Sequence, residues 1–313
     1  MAVLGIDTSC YTTSVAVTEQ GSVIADMRQL LEVEKGGLGL RQSEALFRHV
    51  RSLPGLIGSA FERARESGAV IRAVSASHWP RRAEGSYMPA FTAGSGSASA
   101  VASALGVPLV KVSHQEGHIA ACAPDAGLSP GDSFLAVHLS GGTTEVLAVG
   151  WGETGMRIRL VAASSDLSAG QMIDRIGVGL GLGFPAGPAL ERLAGEGEGC
   201  SFRIPSHFSG RSLSFSGPCE AALRGIRGGA EPGEVARAAF DCVRKSICKA
   251  VEYASTESGL KTVLLAGGVA ANGRIREGMR EHLGRLGIEV LFGSPALSSD
   301  NAVGVSYLGE LWA

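Results

Sequence analysis

Aromatic side chains are scarce in this sequence, and neither positive nor negative charge is in large excess. Only 5% of its 313 residues are aromatic, and 28 Lys and Arg stand against 30 Asp and Glu, which gives a net charge of -2. A protein that binds nucleic acid alone usually carries a basic face, so we expect any RNA contact to be local or shared with a partner. Hydrophobic residues nevertheless make up 45% of the chain. That share allows sizeable cores, and the length indicates two domains.

Long apolar runs and paired cysteines are also missing. No segment reaches the roughly 18 uninterrupted apolar residues that span a bilayer, and the first residues lack the basic and apolar regions of a signal peptide. Without a CxxC pair, the cysteine spacing indicates neither a disulfide framework nor a zinc site. The six cysteines are Cys10, Cys122, Cys200, Cys219, Cys242 and Cys248. We expect a soluble cytoplasmic protein without membrane contact.

Glycine is abundant, with 45 residues, and two segments rich in small residues share one plan. The first starts at Val3 and reads VLGIDTSCYTTSVAV; the second starts at Phe134 and reads FLAVHLSGGTTEVLAV. Each places two apolar runs around a turn of small residues, which predicts a β-hairpin. The repeat predicts two related lobes, residues 1–115 and 116–313, with the C-terminal helix able to pack back on the first.

The rest of the chain predicts alternating strands and helices, and so an α/β fold whose mixed sheets are covered by helices. A helix is expected from Ser43 to about Ser67, with a break allowed at Pro54. A long amphipathic helix is expected over residues 234–258. Its apolar stripe consists of Val235, Ala239, Val243, Ile247 and Val251. Residues 203–217 are expected to be rich in loops, and residues 35–37 to form a glycine turn.

The tips of the two hairpins are candidate phosphate-binding turns. Turns that present backbone N–H groups form anion-binding concavities, and glycine lets the backbone approach phosphate oxygens closely. One such turn is most often a plain hairpin turn, but two matching tips favour a phosphate site. The candidate residues are Asp7, Thr8 and Ser9 in the first tip and Leu139, Ser140, Gly141 and Gly142 in the second.

A third glycine turn follows an apolar strand and opens a helix, in the segment LLAGGVAAN. This order of elements is typical of nucleotide sites. Gly267 and Gly268 suit close approach of a nucleoside, and the amide of Asn272 can bind it. Asn272 can also cap the helix that it opens, and the two roles can coexist.

A histidine pair, His114 and His118, directly follows a predicted buried strand. Residues four apart lie on one face of a helix, so both side chains can reach one metal ion. The acid between them, Glu116, does not give the HExxH spacing of a zinc protease. A third ligand is wanted, and Asp300 is the candidate, at the expected start of the last helix. A pair of this spacing is often structural, and its position after the strand favours a site.

These motifs together resemble the TsaD family of tRNA threonylcarbamoyladenosine synthase subunits, and the resemblance runs nearly end to end. Sugar kinases and heat-shock ATPases share the fold plan but lack the histidine pair. The resemblance implies a two-lobed fold of the actin, sugar kinase and heat-shock ATPase (ASKHA) type, with a nucleotide in the cleft. The motifs, in chain order, are VLGIDTSC, HQEGH, HLSGG, FPAGP, SFSG, LLAGGVAANGRIR and SSDN.

The resemblance also implies a reaction and its ligands. Family members transfer a threonylcarbamoyl group from threonylcarbamoyl-AMP to an adenine next to the anticodon of tRNA, with one divalent metal, iron or zinc, beside the phosphate. ATP or AMP is the related nucleotide. Family members work with a smaller actin-like, TsaB-type partner subunit, and a homodimer is an alternative here. The implied metal ligands are His114, His118 and Asp300. The implied nucleotide contacts are His138, Leu139, Ser140, Gly141, Gly142, Asp174, Gly187 and Asn272.

The sequence departs from the family pattern at several charged positions. Tyr11 and Thr12 replace two acids, Thr143 replaces a His, and Cys219 replaces a Lys. Gln171 and Arg175 stand for Glu and Lys, and a segment at residues 79–88 replaces a TAGPGL loop.

The departures indicate a diverged paralogue, for which we weigh two functions. One is an active acyl or carbamoyl transferase; the other is a catalytically silent nucleotide-binding subunit. A phosphohydrolase or small-molecule kinase is disfavoured because Asp7 is the only evident acid at the first tip. In the segment 79–88, Arg81 and Arg82 beside Trp79 and Tyr87 could contact RNA, although an ordinary solvated loop is the favoured interpretation.

Overall fold

The computed structural model describes residues 1–9, 11–31, 40–195 and 201–313, except for the side chain of Pro295. The glycine turn expected at residues 35–37 lies outside the described residues. The chain forms two compact units. The first comprises Met1–Ser129, Gly152–Met156 and Ala296–Ala313, and the second comprises Pro130–Trp151 and Arg157–Pro295. The boundary expected between residues 115 and 116 falls within a helix of the first unit, and the division into lobes 1–115 and 116–313 stays a prediction.

The first unit is built on a five-stranded sheet of order β3-β2-β1-β4-β5. Strands β1 to β3 are antiparallel neighbours, whereas β4 and β5 run parallel to β1. Its elements are β1 (Ala2–Asp7), β2 (Thr12–Glu19), β3 (Ser22–Leu30), α1 (Gln42–Glu66), β4 (Ile71–Trp79), α2 (Phe91–Leu105), β5 (Leu109–Ser113), α3 (His114–Cys122) and, from the C-terminus, α9 (Val303–Trp312).

The helix predicted from Ser43 is present as α1, and it continues through Pro54 without a break. Proline removes one backbone hydrogen bond, here to the carbonyl of Val50. Both residues are exposed, so water can satisfy that carbonyl. The helix at the C-terminus packs on the strands of the same unit, where Ser306 Oγ donates to the Val3 carbonyl at 2.7 Å.

The second unit repeats the plan of the first in a seven-stranded sheet of order β12-β11-β6-β7-β8-β10-β9. Strands β8-β7-β6-β11-β12 correspond in order to β3-β2-β1-β4-β5, with β6 and β7 antiparallel and β11 and β12 parallel to β6. The elements are β6 (Ser133–Leu139), β7 (Thr144–Trp151), β8 (Met156–Ser164), α4 (Ala169–Gly179), α5 (Gly187–Gly195), β9 (Phe208–Ser209), β10 (Ser212–Leu213), α6 (Ser216–Arg227), α7 (Pro232–Ser258), β11 (Thr262–Ala266), a 3₁₀ turn (Gly268–Ala271), α8 (Gly273–Gly284) and β12 (Glu289–Phe292).

The long helix expected over residues 234–258 is α7, and all five residues of its predicted stripe are buried in the core of the second unit. Four elements of this unit were not predicted: β8, α6 and the two-residue strands β9 and β10. The two short strands lie within residues 203–217, which were expected to be rich in loops. The four described cysteines are free and buried. Within the described residues, no helix combines the length and the apolar character needed to cross a bilayer.

Candidate functional site

Helix α3 carries the histidine pair and begins at His114 because a capping box fixes its start. Ser113 Oγ accepts from the Glu116 N–H at 3.2 Å, and Glu116 Oε2 accepts from the Ser113 N–H at 2.7 Å. This reciprocal pair satisfies two N–H groups that the first turn leaves without partners. His114 therefore stands at the helix start, at the end of β5, and His118 follows one turn later.

The sequence predicts that Asp300 stands at the start of the last helix, but in the structure Asp300 lies in a turn before α9. The reason is Asn301, whose Oδ1 accepts from the Val303 N–H at 3.0 Å while its Nδ2 donates to the Leu297 and Ser299 carbonyls. These bonds close the turn on itself, so α9 begins at Val303. Asn301 is 4% exposed, which fits a structural role.

The turn of Asp300 reaches α3 because α9 and α3 touch through their backbones. A Cβ on Gly304 would lie 1.9 Å from the Gly117 carbonyl oxygen and 2.5 Å from the Ala121 nitrogen. Real Cβ atoms essentially never approach so closely, so only glycine at position 304 allows this packing. Gly117, between the two histidines, is the residue against which α9 is held.

The structure brings His114, His118 and Asp300 together. His118 Nε2 lies 3.2 Å and His114 Nε2 lies 3.7 Å from Asp300 Oδ1, and one ligand atom from each residue lies within 4.8 Å of the others. Ligand atoms bound to one metal at about 2.1 Å are about 3–3.5 Å apart in adjacent positions. Two imidazoles and one carboxylate are a donor set for iron or zinc that leaves coordination positions open. The residues present therefore fit one divalent metal.

A fourth side chain, Asp7, supports the cluster from β1. Its Oδ1 lies 3.1 Å from His114 Nδ1, it also accepts from the Ser77 hydroxyl, and its Oδ2 accepts from Ser9 Oγ at 2.8 Å. Burial opposes ionisation of Asp7, but the charge and hydrogen bond of His114 and the Ser77 bond outweigh it and lower its pKa. Burial likewise opposes protonation of His114, yet Asp7 and then Asp300 raise the pKa of His114 to about 9.

The predicted phosphate residues of the first tip are all buried, and their side chains bond within the chain. Thr8 Oγ1 donates to the Ala90 carbonyl and accepts from the Gly94 N–H, each at 3.0 Å, which joins the tip to the start of α2. Asp7 and Ser9 hydrogen-bond each other. Of the two residues that stand for acids, Tyr11 is 41% exposed and Thr12 is buried. The role of this tip in phosphate binding stays a prediction.

The second tip is an open turn supported by the start of α4. The Ser140 N–H donates to the Thr143 carbonyl at 2.9 Å, and Gly141 and Gly142 are exposed. Ser168, the N-cap of α4, donates to the Gly141 carbonyl at 2.7 Å. A Cβ on Gly170 would lie 2.5 Å from the Ser140 carbonyl, so α4 lies directly under the tip. Exposed N–H groups near a helix N-terminus are suited to an anion.

The third glycine turn lies against the same tip. Gly267 has a φ of 100°, and a Cβ there would lie 2.3 Å from the Leu139 carbonyl oxygen. Both facts require glycine. His138 is half-buried beside this turn, paired with Ala266 across β6 and β11. Asn272 is the N-cap of α8, with Oδ1 accepting from the Ile275 N–H at 3.0 Å. The capping role of Asn272 is therefore present, and ligand binding stays a prediction.

Asp174 and Gly187, both implied by the family resemblance, also meet. Asp174 Oδ1 accepts from the Ala186 N–H at 2.8 Å, and its carboxylate also accepts from the Gly187 N–H, at the first residue of α5. Burial raises the pKa of Asp174, while these backbone bonds act in the opposite direction. The carboxylate thus fixes the start of α5, whatever else it binds.

Two departures from the family pattern have a structural explanation. Gln171 forms a capping box with Ser168, accepting from its N–H at 3.0 Å, and Gln serves this role as well as Glu. Cys219 is 2% exposed in the core of the second unit, and burial raises the pKa of its thiol. It is therefore a core side chain of the second unit.

Comparison with solved structures identifies the structural class of this fold. Solved structures of similar fold include HypF from T. kodakarensis, with a TM-score of 0.68 at 18% identity, covering 99% of this chain and 47% of that one. A ROK family glucokinase from Streptomyces griseus in complex with glucose and AMPPNP has a TM-score of 0.55 at 14% identity, covering 99% of both chains. The chain spans about half the length of the HypF chain. The predicted ASKHA-type fold is confirmed, and within it lies a His-His-Asp cluster.

The particular family follows from sequence similarity. The family TsaD, tRNA N6-adenosine threonylcarbamoyltransferase, matches residues 27–307. A tRNA N6-adenosine threonylcarbamoyltransferase from Thermus thermophilus is 35% identical over 307 residues, 96% of this chain and 90% of its own. One from Syntrophotalea carbinolica is 31% identical over 324 residues, covering 100% and 92%. The chain belongs to the TsaD family, as its motifs predict. The divergent first tip precedes the matched residues.

Proposed function

We propose that this protein transfers a threonylcarbamoyl group from threonylcarbamoyl-AMP to the adenine next to the anticodon of tRNA, or carries out a closely related carbamoyl or acyl transfer. The observation that carries this proposal is the convergence of His114, His118 and Asp300 in a member of the TsaD family. A catalytically silent protein has little use for a histidine pair that shares a carboxylate.

We infer that these three residues hold one divalent metal ion, iron or zinc, with Asp7 fixing the ring of His114. A carboxylate on the second nitrogen of a ligating histidine sets its tautomer and raises its basicity. When bound, the metal supplies Lewis-acid polarisation of a carbonyl or phosphate oxygen. The three protein ligands leave positions open for such an oxygen.

The second unit supplies the groups proposed to bind the adenylate. Gly141 and Gly142 are exposed, and we infer that their backbone N–H groups bind phosphate oxygens. The start of α4 beneath them adds to the attraction for an anion. The Gly267–Gly268 turn, Asn272 and Asp174 are the proposed nucleoside contacts. ATP and AMP share the groups that these residues would bind.

The reaction forms one bond and breaks one. The acceptor amine attacks the carbamoyl carbonyl and the bond from that carbon to the phosphate oxygen breaks. AMP leaves with the electron pair of that bond, and the amine gives one proton to the solvent. No side chain is assigned as the base. The acids of the first tip are replaced by Tyr11 and Thr12, and Asp7 is hydrogen-bonded to His114.

The second candidate is a silent nucleotide-binding subunit that acts beside another member of the family. Two observations favour it. Cys219 is buried where the family has a lysine, and the buried side chains of the first tip form hydrogen bonds within the chain. Such a subunit would work with a smaller TsaB-type partner or as a homodimer.

Elemental analysis of the purified protein, combined with calorimetry of AMP and ATP binding, separates these functions. We expect one equivalent of metal and a nucleotide site, followed by transfer in assays with tRNA. The variant His114→Ala should lose the metal and keep the fold, and full metal occupancy in it would refute the metal site. Nucleotide binding without metal would favour the silent subunit. Binding of neither would leave only the fold in common with the family.

A further inference from the structure

Two arginines of α8 stack on one aromatic ring. The guanidinium carbons of Arg276 and Arg280 lie 4.3 Å and 5.1 Å from the centre of the Phe292 ring. Arg276 and Phe292 are half-buried and Arg280 is exposed. Guanidinium groups at this distance from an aromatic ring make cation–π contacts, so Phe292 holds two cations side by side.

These two charges are not balanced by a carboxylate of the described residues. Neither side chain forms an ion pair or a hydrogen bond with any residue that the structure describes, although Glu277 and Glu281 lie on the same helix. Glu281 is instead paired with Arg285. Like charges four residues apart on a helix repel each other, and burial together with Arg280 lowers the pKa of Arg276. The two arginines therefore form a local positive charge that no carboxylate of the described residues balances, although the chain as a whole has a net charge of -2.

The position of this pair adds a functional argument. Phe292 is the last residue of β12 and pairs with Leu265 of the parallel strand β11. Two residues later β11 leads into the Gly267–Gly268 turn, so Phe292 and that turn lie at the same edge of the sheet. Ligands of α/β sheets gather at this carboxyl edge. The arginine pair is therefore next to the proposed nucleotide turn but on the side of α8.

We propose that Arg276 and Arg280, held by Phe292, form a contact surface for the phosphate backbone of RNA. This surface rests on the proposed function, which makes tRNA the substrate. Planar guanidinium groups bind phosphate oxygens with two parallel hydrogen bonds, and the donors of this pair have no partner among the described residues. Two adjacent cations on a helix side suit a polyanion, whereas the proposed function already assigns the single phosphate of AMP to Gly141 and Gly142.

The test is tRNA binding measured by fluorescence anisotropy over a series of salt concentrations. We expect the double variant Arg276→Gln/Arg280→Gln to bind about ten-fold or more weakly. The slope of log K against log salt should fall by about one for each phosphate that the variant no longer binds, so by about two. The variant Arg276→Lys/Arg280→Lys keeps both charges and should keep most of the slope. The control is Arg285→Gln, which removes one positive charge at the residue that follows α8 and pairs with Glu281. This variant should bind as the parent does.

Each outcome decides the proposal. Equal affinity and slope in the parent and the folded Gln variant would overturn the surface, and so would a parent that binds no tRNA. Weaker AMP binding with unchanged tRNA binding would also overturn it, because the pair would then serve the nucleotide. If the Gln variant loses tRNA binding while the parent shows no transfer, the surface stands and the proposed reaction fails. Thermal unfolding of each variant confirms that the fold is intact.

Discussion

His114 Nδ1 lies 3.1 Å from Asp7 Oδ1, and this contact turns the other ring nitrogen of His114 toward Asp300. Asp7 ends β1 and His114 follows β5, and both strands flank β4 in the parallel part of the sheet. Sheet topology thus places a buried carboxylate behind a candidate metal ligand. The arrangement matches the carboxylate–histidine–metal pattern that orients ligands in many metal sites.

Removing the charge of Asp7 should weaken metal binding without removing a ligand. The variant Asp7→Asn is expected to bind Zn²⁺ about 10–100-fold more weakly, because the imidazole of His114 loses its orienting carboxylate. Competition with a coloured chelator measures the affinity. Ser9→Ala, which loses one hydrogen bond to Asp7 and keeps the carboxylate, is the matched control and should change affinity much less. Unchanged affinity in a folded Asp7→Asn protein would show that Asp7 has no part in the site.

The segment 79–88 is anchored by Arg82, which is therefore committed to the protein. Its Nε lies 3.1 Å and 3.3 Å from the two oxygens of the fully buried Glu116, and its Nη2 donates to the Lys111 carbonyl at 3.1 Å. Glu116 also accepts from Ser113 and from the Met156 N–H. Because those bonds remain and Arg82 is partly exposed, Arg82→Ala should lower the free energy of unfolding by about 1–2 kcal/mol, less than a fully buried pair would lose.

Urea unfolding measures that loss, and Arg82→Lys serves as its control. Lysine keeps the charge beside Glu116 but cannot reach both partners with a planar fork, so its stability should lie between those of the parent and the alanine variant. A parent-like stability of Arg82→Ala would mean that the ion pair contributes nothing and that Arg82 is available to a ligand.

His78 should make the protein less stable in mild acid. Burial and then the charge of Lys111 lower the pKa of His78 to about 4, and its Nε2 has no hydrogen-bond partner within the described residues. The unfolded chain takes up this proton near pH 6.5 and the folded chain only near pH 4, so stability falls as the pH drops through that interval. A shift of this size is worth about 3 kcal/mol, and we expect about 1–2 kcal/mol because the side chain is partly exposed.

Chemical denaturation at about pH 7 and about pH 4.5 tests this prediction against His78→Gln. Other groups also titrate in this interval, so the informative quantity is the difference between the two proteins. The parent should lose more stability than the variant on acidification. Equal losses would mean that His78 protonates freely in the folded state.

The parts of the fold that sequence could predict are those fixed by local pattern. Both hairpins follow from two apolar runs around a turn of small residues, and α7 follows from an i+4 stripe. All three are present. Helix α6 was not predicted because its sequence, SGPCEAALRGIR, contains Pro and Gly and has no long stripe. Its start is instead fixed from a distance: Asp166 accepts from Ser214 Oγ at 2.6 Å and from the Phe215 N–H at 2.9 Å. Those bonds keep the pKa of Asp166 well below its usual value against the effect of burial.

The candidate site likewise contains residues that the sequence could predict and residues that it could not. The spacing of His114 and His118 is local and could be interpreted directly, whereas Asp300 was a candidate because a third ligand was wanted and the family resemblance implied it. Its approach depends on the contact between Gly304 and Gly117, which no local pattern reveals. Asp7 was assigned to a phosphate tip, and its contact with His114 was missed. The available signal was the shared edge of parallel strands, since Asp7 ends β1 and His114 follows β5.

Asn272 offers a direct separation of structural and ligand-binding roles, because its Oδ1 caps α8 while its Nδ2 is the predicted ligand donor. Asn272→Ala should lower the free energy of unfolding by about 1 kcal/mol through loss of the cap. Asn272→Ser keeps a capping oxygen and should restore most of that stability, but it removes the amide nitrogen. If the amide binds the nucleoside, both variants lose AMP affinity by calorimetry, even though only the alanine variant is destabilised. If the serine variant binds AMP as the parent does, Asn272 acts through the helix alone, and the nucleoside contact must be sought elsewhere on the Gly267–Gly268 turn.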